Sequence, residues 1–89
     1  MTALDLDWIR AQFPALSQDV GGRPAIFLDG PGGTQVPRRV VDAVSHCLVH
    51  ANANTHGKFI TSARADEVIT AARRAMADLL GAGPDEIAF

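Results

Sequence analysis

The sequence predicts an α/β chain, mostly helical with short strands and built around about three helices. Three observations predict it. Apolar residues recur at helical spacing in three segments, which begin after Asp5, at Pro37 and near Thr61. The run Ala25-Ile26-Phe27-Leu28 has strand length and no polar alternation, as expected of a strand covered on both faces. A second run, Ile87-Ala88-Phe89, opens like another buried strand.

Each element has a local reason. Leu6, Ile9 and Phe13 share a helical stripe after Asp5, whose carboxylate can cap orphan amides, so a short helix is expected to reach Phe13 and end at Pro14. Gly21-Gly22-Arg23-Pro24 then breaks the chain before the first strand, which delivers Asp29 to the turn Gly30-Pro31-Gly32-Gly33. Pro37 suits a first helical turn. From it Val40, Val44, Cys47, Leu48 and Ala51 form one stripe of a helix about four turns long. An Asn-rich string ends that helix, and Thr61 or Ser62 is expected to cap the next. The stripe of this third helix is Ala65, Val68, Ile69, Ala72, Met76, Leu79 and Leu80, of which the last three are expected in the core. Gly81 suits a left-handed stop, and Pro84-Asp85-Glu86 turns the chain into its last run.

Composition narrows the class of protein. With 47% apolar and 20% charged residues among 89, the chain is globular and not disordered. A domain of this size buries roughly 60–65% of its unfolded surface, which leaves stability marginal. Net charge is −2, and no basic run exceeds the pairs Arg38-Arg39 and Arg73-Arg74, so there is no electrostatic footprint for nucleic acid. No apolar segment approaches the roughly 20 residues of a spanning helix, and Asp5 and Asp7 stand where a signal peptide would be basic. The expectation is a cytoplasmic protein with no membrane partner. Its single cysteine, Cys47, forms no internal disulfide and fits a reducing compartment. No internal repeat or linker is evident. Two buried strands cannot satisfy a sheet's hydrogen bonds alone, so residues 1–89 read as a single incomplete domain. Further sequence, another chain, or a three-helix arrangement using the strands as arms would complete it.

Two strings carry the functional information. The first is Asp29 to Thr34, where glycines let another group approach the main chain; a tight structural connection explains it as well as a substrate-facing loop does. It lacks both the G-x-G-x-x-G spacing and the Gly-Lys-Ser/Thr ending, so it does not read as a nucleotide site. Asp29 can orient a ligand or cap the turn's amides. The second string is Asn52-Ala53-Asn54-Thr55-His56-Gly57. Asn52 and Asn54 read first as turn formers that tolerate the left-handed region. His56 lies in a polar loop, and imidazole exchanges protons near neutral pH, but no partner for it is evident. His46 and His50 stand four apart without a third ligand and read as solvated surface. Cys47 reads as a small apolar packing residue.

Taken in order, the short first helix, Phe27-Leu28-Asp29 with its small-residue turn, the Pro37-led helix, Asn-x-Asn-x-His at 52–56, the capped helix, Leu80-Gly81-Ala82 and Pro84-to-Phe89 resemble the start of class V aminotransferases. The similarity is strongest to the cysteine desulfurase-like branch, and it covers essentially the whole chain. It implies the N-terminal part of a fold-type I enzyme dependent on pyridoxal 5′-phosphate, acting on an amino acid as a homodimer. In such enzymes a lysine holds the cofactor and an acidic residue pairs with its ring nitrogen. Lys58 and Cys47 match neither the family's cofactor lysine nor its sulfur-accepting cysteine. The resemblance therefore implies substrate-side loops, formed by Asp29, Gly30, Pro31, Gly32, Gly33, Thr34, Asn54 and His56. It assigns this chain no catalytic residue and leaves its cofactor-binding residues unknown, and no metal-binding residue is expected.

Two departures stand out. Gly30-Pro31-Gly32-Gly33 replaces the family's usual alanines, and Gly57 follows His56 where many members have arginine. They point to a divergent subgroup and leave desulfuration, elimination, epimerisation and amino transfer open. The chain by itself is expected to be inactive. The alternative reading is a non-catalytic truncated remnant, or a small helical interaction module whose apolar stripes bind another chain.

Overall fold

The computed structural model describes residues 2–89, which form three α-helices, three short 3-10 turns and one two-stranded antiparallel sheet. The chain divides into two compact units, Met1–Val44 and Ser45–Phe89.

In the first unit, α1 (Leu6–Ala11) begins as the sequence suggests: the Asp5 carboxylate accepts the Trp8 N–H at 2.9 Å. It ends two residues short of Phe13. A residue before proline is pushed out of the helical region, and Phe13 is extended, with φ −106° and ψ 97°. Pro14–Ser17 then forms a 3-10 turn, which the Ser17 hydroxyl closes on the Pro14 carbonyl at 2.8 Å.

Gly21 and Gly22 do more than break the chain. With φ of 62° and 78° they form the turn of a hairpin in which β1 (Asp19–Val20) pairs with β2 (Arg23–Pro24). The register sets Asp19 opposite Pro24, and the Asp19 carboxylate accepts the Gly22 N–H at 2.9 Å. Two successive positive φ angles suit the right-handed twist of a hairpin, and glycine supplies them without steric cost.

The expected strand Ala25–Leu28 is not a strand here. It has no regular secondary structure and no ladder partner among the described residues, apart from the Ala25 N–H donating to the Gln18 carbonyl. Ala25 is buried, whereas Ile26 is 81% and Leu28 92% exposed. Ile87–Phe89 likewise joins no ladder among the described residues; Ile87 is extended and buried, and Phe89 is exposed. A strand needs a neighbour for its N–H and C=O groups, and neither run meets one.

Helix α2 (Arg38–His50) follows Pro37, whose carbonyl accepts the Val40 and Val41 N–H groups. Its stripe residues Val40, Val44 and Leu48 are exposed. Helix α3 (Ile60–Leu80) opens at Phe59 without a side-chain cap, so neither Thr61 nor Ser62 has the expected role. Ser62 lies inside the helix and is fully buried. The far end matches expectation: Gly81 is left-handed at φ 65°, and the Ala82 N–H reaches back to the Ala77 carbonyl at 2.9 Å.

Beyond it Pro84–Glu86 makes a 3-10 turn that packs on α3, and the Glu86 carboxylate accepts the Gly83 N–H at 3.0 Å. Burial in the second unit falls on Ala51, Ser62, Ala65, Ala77 and Ile87. The expected core residues Met76, Leu79 and Leu80 lie outside it, the last two at 75% and 65% exposed. At about 100° per residue, Leu79 stands about 200° round the helix from Ala77, and Leu80 lies in the final turn.

Candidate functional site

The loop between α2 and α3 is held by two polar anchors on α3. His56 has φ 63°, the one positive φ of a non-glycine residue among the described residues. That conformation costs about 1–2 kcal/mol for an L-residue. Asn52 and Asn54, which tolerate that region more readily, do not adopt it. Its compensation comes from Asp66, whose carboxylate oxygens each accept the His56 N–H at 3.1 Å. One of them also stands 3.5 Å from the ring Nδ1. The Asp66 side chain is 34% exposed and that of His56 88%, so the backbone is tied down while the imidazole projects outward.

Ser62, four residues before Asp66, is the second anchor. Its hydroxyl accepts the Gly57 N–H at 2.7 Å and donates to the Asn54 carbonyl at 2.5 Å. Gly57 has a steric reason to be glycine: a Cβ there would lie 2.5 Å from Phe59 Cε1 and 2.9 Å from Ser62 Oγ. Asn54 and His56 thus belong to one network. Thr55, His56 and Asp66 share a cleft of about 450 Å³ with Ile69, Thr70 and Arg73 on α3. Arg73 also donates to the Ile87 carbonyl and lies over the Phe89 ring, 5.3 Å from its centroid.

His46 and His50 stack with ring centroids 4.5 Å apart, beside Arg64 and Glu67 in a cleft of about 360 Å³. Arg64 donates to the His50 carbonyl at 3.2 Å.

The first unit carries the other string. Gly30–Gly32 is a 3-10 turn in which the Gly32 N–H donates to the Asp29 carbonyl at 2.7 Å and the Gly33 N–H to the Gly30 carbonyl at 3.0 Å. Asp29 therefore closes the turn with its main chain, and its carboxylate caps nothing. Only Gly33, at φ 138°, needs glycine's freedom, because a Cβ on Gly30 or Gly32 would meet nothing closer than 3.9 Å. Asp29, Gly30, Gly33 and Thr34 border a cleft of about 210 Å³ with Phe13 and Phe27. The two strings lie in different units.

Asp66 is the residue that sequence reasoning missed. It lies ten positions beyond His56, too far for a local pattern, yet its spacing of four from Ser62 sets both on one face of α3. That pairing was the available signal.

The donor set does not fit pyridoxal phosphate by itself. The chain's one lysine, Lys58, is exposed in the loop. The carboxylate nearest the candidate loop, Asp66, is engaged by the His56 amide.

Comparison with known proteins places these features. The Aminotransferase class-V family model matches residues 26–89. A probable cysteine desulfurase of Vibrio cholerae is 46% identical over 80 residues, covering 89% of this chain and 20% of that protein. A probable cysteine desulfurase of Mycolicibacterium paratuberculosis is 38% identical over 87 residues, which are 96% of this chain and 13% of the relative. The cysteine desulfurase of Synechococcus elongatus is 35% identical over 83 residues, 92% of this chain and 13% of the relative. The chain spans 20% or less of the length of these three relatives. By its family match and these identities, the chain belongs to the class-V aminotransferase family.

Proposed function

We propose that this chain is the N-terminal portion of a fold-type I, pyridoxal phosphate-dependent enzyme of the cysteine desulfurase-like branch, acting on an amino acid in the cytoplasm as a homodimer. In this reading residues 1–89 are one incomplete part of a larger domain. They contribute the Asp29–Thr34 turn and the Asn54–His56 loop to the substrate side and leave the cofactor lysine to other sequence. The observation that carries it is the 46% identity over 89% of the chain to a protein named as a probable cysteine desulfurase. The loop geometry supports a binding role, since a strained backbone fixed by two α3 side chains presents an outward imidazole.

Alone, the chain should be inactive. The test mixes the purified protein with pyridoxal phosphate and follows visible absorbance, expecting no lasting lysine-bound band. A stable band that Lys58→Ala abolishes would overturn the assignment. A hybrid in which these residues replace the matching segment of the Vibrio cholerae relative should process its amino acid with a raised KM after His56→Ala. Unchanged kinetics in that variant would remove His56 from the substrate side.

A further inference from the structure

The Asp66 carboxylate makes two kinds of approach to the same residue. It accepts the His56 main-chain N–H through both oxygens, and Oδ1 stands 3.5 Å from the ring Nδ1. The first approach is a hydrogen bond that fixes where the ring is attached; the second is a 3.5 Å approach without hydrogen-bond geometry, which acts on the ring through the carboxylate's charge. A neutral imidazole carries one proton, and the group facing each nitrogen decides which one holds it. A carboxylate offers only lone pairs, so it favours a proton on the nitrogen it faces. We propose that Asp66 is a positioning residue that favours the Nδ1–H tautomer of neutral His56, leaving the Nε2 lone pair as the proton acceptor of an exposed ring that borders the cleft lined by Thr55, Thr70 and Arg73.

The consequence is chemical. An Nε2 lone pair accepts a hydrogen bond or a proton from an ammonium or thiol group, whereas an Nε2–H could only donate. The cleft that His56 borders holds no carboxylate besides Asp66, because its other members are two threonines, Ile69 and Arg73. The purpose of that nitrogen rests on the substrate-side reading of the loop, whereas the tautomer does not.

The experiment is nitrogen-15 NMR of the histidine side chains in the full chain, at mildly alkaline pH where imidazoles are neutral. Histidine free in water favours the Nε2–H form, so a His56 signal dominated by Nδ1–H is the expected reversal. Asp66→Asn should return His56 to Nε2–H while His46 and His50 keep their ratios. Should Asp66→Asn also abolish protection of the His56 amide, the unmutated chain decides alone. An unmutated His56 dominated by Nε2–H overturns the proposal, and so does a variant with an intact loop that keeps Nδ1–H. In the hybrid enzyme, Asp66→Asn is expected to raise KM in the same direction as His56→Ala, by a smaller factor. If the tautomer switches but the kinetics do not, the positioning stands and the substrate-side reading fails.

Discussion

Replacing Ser62 with alanine tests whether the loop is organised from α3. The hydroxyl is fully buried and makes two hydrogen bonds, from the Gly57 N–H at 2.7 Å and to the Asn54 carbonyl at 2.5 Å. At a net ~0.5–1.5 kcal/mol each, their loss costs about 1–3 kcal/mol. Alanine is the better helix former by about 0.5 kcal/mol, which leaves a net loss of ~0.5–2.5 kcal/mol. The loss should be local, because both partners lie in the loop and α3 keeps its own backbone bonds. Amide hydrogen exchange reads it directly: with tenfold per ~1.4 kcal/mol, the Gly57 and His56 amides should exchange about 2- to 60-fold faster. Amides near Ala77 should not change. Unaltered exchange at Gly57 would show that the hydroxyl does not hold the loop. Equal acceleration along all of α3 would show that Ser62 stabilises the helix instead.

Gly57→Ala attacks the same contact from the other side. The Phe59 ring is half exposed and can swing away from the new methyl, but Ser62 can yield only by giving up its hydrogen bonds, so urea unfolding or exchange should show a loss of about 1–3 kcal/mol. A change under about 0.5 kcal/mol would contradict the steric account. Leu79→Ser and Leu80→Ser should each alter stability by no more than about 0.5 kcal/mol, because both side chains are exposed. Their combination should lower the average mass seen in sedimentation if these apolar surfaces drive association. A thermal loss of 2 kcal/mol or more, roughly the cost of truncating a core leucine, would return them to the core.

Helix positions were legible because their signals are local. Asp5 before an apolar stripe, Pro37 ahead of a second stripe and Gly81 after a third correspond to an N-cap, a helix start and a left-handed stop. Strands failed for the opposite reason. Ala25–Leu28 and Ile87–Phe89 have strand composition, but a strand exists only where another pairs with it, and pairing is not written in four residues. The one sheet present instead follows from Gly21-Gly22, a hairpin signal that was read only as a break. In the loop, left-handed backbone fell on His56 and not on either asparagine, because a carboxylate ten residues away outweighs a weak residue preference. Residue type pointed to the right string, and the tertiary partner chose the residue within it.

The same contrast separates what this segment specifies by itself from what it leaves to its surroundings. The hydrogen bonds that tie residues 54–57 to α3 span ten residues or fewer, and each ends on a polar group of the loop or of the first two turns of α3. Such contacts form whether or not large apolar side chains find a core. The buried residues of the second unit are accordingly small, Ala51, Ser62, Ala65 and Ala77 beside Ile87, while Leu48, Leu79 and Leu80 remain exposed. A methyl group removes too little apolar area from water to account for much stability, at about 25 cal/mol per Å². The loop's order therefore comes from directional polar bonds, and the exposed side chains are the apolar area still available for burial. The candidate site is therefore the part of the chain whose geometry depends least on the burial of those apolar faces.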